Sequence, residues 1–79
     1  MEISLLDYEG TKNIVEIPDD TEYISGVILN GDMVMEYPFH MDSSEHNPRT
    51  IDYYDGYFKI ERKDFHKLNE EGASSYDFL

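Results

Sequence analysis

Apolar and polar residues alternate along residues 23–39, on both sides of an Asn30-Gly31 dipeptide. Alternation with period two marks strands with one buried face. Asn-Gly supplies the positive φ that both central positions of a type I′ turn require. Together they predict a hairpin whose two-residue loop fixes the register. Leu29 then faces Asp32, Ile28 faces Met33, Val27 faces Val34, Gly26 faces Met35, Ser25 faces Glu36 and Ile24 faces Tyr37. In that register Ile24, Ile28, Met33, Met35, Tyr37 and Phe39 share the core face. Ser25, Asp32, Glu36 and a small Val27/Val34 patch occupy the other.

Two further hairpins are expected. Residues 3–8 and 14–18 read as short strands around Glu9-Gly10-Thr11. A three-residue loop there pairs Ile3 with Ile17 and Leu5 with Val15, and sets Ser4 against Glu16. Pro18, which cannot donate to a ladder, ends the second strand. Residues 50–61 repeat the first signal with Asp55-Gly56 at the turn. The implied pairs are Tyr53 with Phe58 and Ile51 with Ile60 on one face, and Tyr54 with Tyr57, Asp52 with Lys59 and Thr50 with Glu61 on the other. Residues 63–71 carry Phe65 and Leu68 at helical spacing, with Asp64 as the expected cap and Gly72 as the stop. About nine residues cannot form a helix unaided, so this one must dock on the sheet. Residues 41–48 read as a flexible loop rich in Ser, Asp and Asn, and residues 73–79 as a C-terminal tail ending in Tyr76, Phe78 and Leu79. The expected fold is mainly β (α+β): a small antiparallel curled sheet or open barrel of about six strands in consecutive hairpins, plus one short C-terminal helix. Residues 1–79 are expected to form a single domain.

Composition narrows the chemistry. The chain has 79 residues and no cysteine, which excludes disulfides and thiolate catalysis. It shows neither the basic and apolar pattern of a signal peptide nor an apolar run of membrane-spanning length, so a cytoplasmic protein is expected. Eighteen acids oppose six bases, for a net charge of −12, yet eleven aromatics favour folding over disorder. The charge is uneven. Residues 1–48 hold eleven acids and a single base, Lys12, whereas residues 49–67 are close to neutral. Such a field repels nucleic acid and anionic membrane and attracts basic surfaces.

Defined catalytic motifs are missing. His40, Asp42, Glu45 and His46 are metal-ligating residue types on one stretch, but their spacing fits no zinc motif and loop polarity accounts for them. Residues 52–56 lack the ligand density of a calcium loop. With eighteen acids, paired carboxylates of glycosidase type arise by chance. No cofactor, metal site or enzymatic activity is therefore expected. The acidic surface is the remaining candidate. Asp7 with Glu9, and Asp20 with Glu22, are i,i+2 pairs that in extended chain lie on one face about 6.6 Å apart. That is near the spacing of successive phosphates, roughly twice the per-strand rise. Asp19, Asp32, Glu36, Asp42 and Glu45 extend the array, and Tyr54 and Tyr57 add aromatic contact.

In size, acidity and lack of cysteine the chain resembles the small acidic inhibitors of phages and mobile elements, anti-CRISPR and anti-restriction proteins among them. The resemblance implies a binding protein that blocks a basic nucleic-acid-binding surface by mimicking phosphates, without touching nucleic acid or membrane itself. The alternative is a small accessory or structural interaction domain. A monomer or a homodimer fits either.

Overall fold

The computed structural model describes residues 1–38 and 54–79. Among them are five strands: β1 (Glu2–Leu6), β2 (Lys12–Glu16), β3 (Tyr23–Leu29), β4 (Asp32–Tyr37) and β5 (Gly56–Glu61). β1 and β2 form a two-stranded antiparallel sheet. The other three form an antiparallel sheet in the order β4-β3-β5. The fold is mostly β, as the alternation indicates, but the two sheets do not close into a barrel. The expected sixth strand, 50–54, falls on residues 50–53 outside the described residues, and Tyr54 is not in a strand.

The Asn30-Gly31 turn forms as read, with φ of 52° and 88°. The register follows it from Leu29↔Asp32 to Gly26↔Met35 and then slips, so that Ser25 faces Tyr37 instead of Glu36. A β-bulge at this point leaves one extra residue on β4. The bulge corrects the expectation that Tyr37 joins the core. It turns the ring to the outer face, 44% exposed, where it stacks on Tyr23. The Val27/Val34 patch is likewise not exposed: Val27 is fully buried and Val34 half-buried.

Asp55-Gly56 is not a type I′ turn, because neither residue has positive φ. The Asp55 N–H instead donates to the Ile28 carbonyl at 2.7 Å, and Gly56 already belongs to β5 opposite Ile28. The β1–β2 register also differs from expectation by two residues, with Ile3↔Val15 and Ser4↔Ile14. The cause is Asp7. Its carboxylate accepts the N–H groups of Glu9 and Thr11, both at 2.9 Å, and Gly10 takes φ of 86°. These contacts build a loop of residues 7–11, longer than the three-residue turn.

One core lies between the layers. Ile24, Ile28, Met33, Met35, Phe58 and Ile60 project from the three-stranded sheet. Ile3, Leu6 and Ile17 cover them from the first hairpin, and Phe65 and Leu68 from the helix Arg62–Asn69. This helix winds as 3-10, in which residues i and i+3 eclipse, so Phe65 and Leu68 fall on one line. Its N-cap is Glu61, which makes no side-chain cap bond. Asp64 lies inside the helix and pairs with Lys67 at 3.5 Å. Gly72, with φ of 83°, reverses the chain after it. The tail folds back as a 3-10 turn, Ser75–Phe78, closed by a Ser74/Asp77 capping box. Phe78 packs against the core and Leu79 rests on Gly56.

Candidate interaction surface

The expected acidic residues lie at opposite ends of the molecule. β3 runs seven residues, about 20 Å at 3.3 Å per residue, from the 19–22 turn to Asn30-Gly31. Asp7, Glu9 and Asp32 gather at the Asn30-Gly31 end. Asp19, Asp20 and Glu22 sit at the other, and Glu36 lies in the bulge towards that end. Asp42 and Glu45 lie outside the described residues, as do His40 and His46. Neither proposed i,i+2 pair is in extended chain. Asp7 and Glu9 are in the 7–11 loop, and Asp20 and Glu22 lie in the turn before β3.

The end around Asn30-Gly31 is built by four segments that meet. Gly31 packs directly against the Tyr8 side chain. Asp55 Oδ2 accepts the Gly31 N–H at 3.0 Å and the Tyr76 hydroxyl at 3.1 Å. The Ser75 N–H donates to the Asp7 carbonyl at 3.1 Å, which seats the tail on the first loop. Tyr8 donates to Glu9 Oε1 at 3.0 Å. Glu9, Asp32 and Asp55 are exposed here, as are Tyr8 and Tyr76. Tyr54 and Tyr57 meet edge-to-face, ring centroids 5.1 Å apart, with their hydroxyls hydrogen-bonded to each other.

Electrostatics separates structural acids from available ones. The Asp7 carboxyl is held below its ordinary range, first by the Thr11 N–H and further by those of Glu9 and Gly10. Its charge is therefore engaged within the loop. Asp19 is also lowered, chiefly by a hydrogen bond from the N-terminal ammonium, 2.5 Å away. Tyr76 is raised by its bond to Asp55, and Tyr54 by its bond to Tyr57, with desolvation and nearby Glu36 adding to the rise. By contrast, Glu9, Asp20, Glu22, Asp32 and Glu36 are exposed and make no ion pair among the described residues.

The 19–22 end carries cations as well. Arg62 donates to the backbone carbonyls of Asp19 at 2.8 Å and Thr21 at 2.9 Å, and its own N–H bonds the Glu22 carbonyl. A hollow of about 340 Å³ beside it is lined by Glu22, Tyr23, Lys59, Glu61, Arg62 and Lys63. Three cations among two acids make this a mixed surface, not a run of phosphate-like charge. At the Asn30-Gly31 end the nearby base is Lys12, opposite Leu6 at the start of β2.

Sequence reading missed Tyr8, Asp55 and Tyr76 as neighbours of the acidic residues. Their meeting depends on the return of the tail, for which the Ser74/Asp77 capping box is the one local signal. Among the described residues, no group of three or more His, Asp or Glu is placed to hold a metal ion. No helix among them is long and apolar enough to cross a membrane. Compared with known proteins, the chain matches no family model, no curated sequence and no solved structure.

Proposed function

We propose that this chain is a small, non-enzymatic cytoplasmic protein that occludes a basic nucleic-acid-binding surface, offering carboxylates in place of phosphates in the manner of phage and mobile-element inhibitors. The observation that carries the reading is the Asn30-Gly31 end, where exposed Glu9 and Asp32, in no ion pair among the described residues, stand with Tyr8 and Tyr76. Carboxylates interleaved with phenol rings suit a partner rich in Arg, whose guanidinium both pairs with carboxylate and stacks on aromatic faces. The charge of −12 adds long-range steering towards such a partner.

The test is capture from lysate at low and high salt with two sets of amide variants. One set is Glu9→Gln with Asp32→Asn, and the other is Asp19→Asn, Asp20→Asn and Glu22→Gln. The proposal expects a nucleic-acid-binding protein whose capture falls with salt, is competed by DNA or RNA, and weakens with the first set far more than the second. Capture indifferent to salt and to the first set overturns it.

A further inference from the structure

β2 is the most exposed of the described strands. Lys12, Asn13, Ile14 and Glu16 are exposed and Val15 alone is half-buried, and Ile14 leaves 60% of its surface open to water. Its sole ladder partner among the described residues is β1. Among the described residues, the backbone donors and acceptors of its outer edge have no ladder partner, which makes the edge a template for strand addition.

The hydrogen-bonding phase of that edge can be read from its end. Beyond the last strand pair, the Ile17 N–H donates to the Met1 carbonyl, and the Met1 nitrogen donates to the Ile17 carbonyl, both at 2.8 Å. Met1 and Ile17 thus form a hydrogen-bonded pair. In an antiparallel ladder such pairs alternate with non-bonded ones. Val15 and Asn13 accordingly direct their N–H and C=O groups at β1, and Glu16, Ile14 and Lys12 direct theirs outward.

The sequence on that edge, Lys-Asn-Ile-Val-Glu, is complementary to itself when reversed. An antiparallel pairing of two copies centred on Ile14 sets Ile14 against Ile14, Lys12 against Glu16, and Glu16 against Lys12. All three of these facing pairs use the outward backbone groups. Each also matches side chains: apolar against apolar in the centre, and opposite charges on both flanks, on one face of the strand. A shift by two residues loses both ion pairs and sets Lys12 against Ile14. We propose that β2 is the dimerisation edge of this protein, joining a second copy across a two-fold axis into a continuous sheet, β1-β2 of one protomer with β2-β1 of its partner. The interface is isologous, as two-fold pairing requires. It places Lys12, the single base of residues 1–48, in contact with an acid of the partner protomer. This inference is independent of the proposed function.

The test uses untagged protein and sedimentation velocity across a concentration series, in about 0.15 M salt. There the Debye length of about 8 Å screens repulsion between two chains of like net charge but not facing ion pairs. Wild type is expected to pass from monomer to dimer as concentration rises. Lys12→Glu and Glu16→Lys each turn both flanking attractions into repulsions, and each is expected to weaken association about tenfold or more. The double variant, Lys12→Glu with Glu16→Lys, restores it. An equimolar mixture of the two single variants also associates, because one chain then carries two acids and the other two bases. Both positions are exposed, but Glu16 also pairs with the N-terminal ammonium at 3.3 Å, so a cooperative melting transition, and not an unchanged melting temperature, confirms that each variant folds. A monomer up to millimolar concentration overturns the proposal. So does a dimer indifferent to the single reversals, or a failure of the double variant and the mixture to recover association.

Discussion

Tyr37 lies flat on Tyr23, their ring centroids 4.4 Å apart and their planes within 10°. Lys59 completes the group from the third strand, its ammonium 4.7 Å from the Tyr23 centroid. The ladder crosses β4, β3 and β5 in that order, and it depends on the register slip that turns Tyr37 outward. A Tyr23→Ala, Tyr37→Ala double-mutant cycle is expected to give a coupling of about 0.5–1.5 kcal/mol, the range for aromatic pairs beyond area burial. Urea unfolding of the four proteins measures it, and a coupling near zero removes the stack as a stabilising contact.

Gly26 is the central-strand position where no side chain fits. A Cβ built there runs into the Val34 carbonyl oxygen and comes within 2.9 Å of the Met35 Cα, both backbone atoms that cannot move without breaking the ladder. At Gly56 the obstacle is the flexible end of Leu79. Gly26→Ala is expected to cost about 3 kcal/mol, the upper end for overpacking, and Gly56→Ala clearly less. Equilibrium denaturation of the two variants checks the order.

Asp7 gives the first loop a pH dependence. Its folded pKa is lowered by backbone N–H groups, so its contribution is fully present above its ordinary value of 3.8 and is lost as pH falls through the lower folded value. Asp7→Ala is expected to reduce stability at neutral pH and to flatten the acid limb of the stability–pH curve relative to wild type. Melting temperatures recorded from pH 2 to 7 test this, and parallel curves for the two proteins contradict it.

Asp55 ties the tail to the hairpin turn through Gly31 and Tyr76. Asp55→Asn removes the charge but keeps an acceptor, so Tyr76 is expected to ionise at lower pH than in wild type, with the tail still seated. Asp55→Ala removes both, and residues 73–79 are then expected to exchange amide hydrogens faster. Phenolate absorbance during alkaline titration reads the first effect, and hydrogen exchange reads the second.

Local chemistry made part of the fold legible. Asn30-Gly31 and the alternation around it fixed four of the hairpin pairs, because a two-residue turn leaves no freedom of register. Phe65 and Leu68 identified the buried line of the helix by spacing alone. The first hairpin pairs two residues away from the register that a three-residue turn implies, because Asp7 folds its carboxylate back onto its own loop. Asp55-Gly56 carried a turn signal equal to that of Asn30-Gly31, but the Asp55 N–H is committed to β3.

The candidate surface divides in the same way. The sequence by itself determined the excess of acid and the absence of thiol chemistry, since these are properties of residue type, whereas the placing of Lys12–Glu16 as an outer strand came from the structure. Only the tertiary structure decided which carboxylates are engaged and which make no ion pair among the described residues. It engaged Asp7 within its loop, brought Arg62 beside the 19–22 turn, and assembled Glu9 and Asp32 with Tyr8 and Tyr76. The physical reason is range: turns and alternation act over a few residues, whereas a surface is made by segments such as residues 8, 31, 55 and 76, which meet only when the core beneath them is packed.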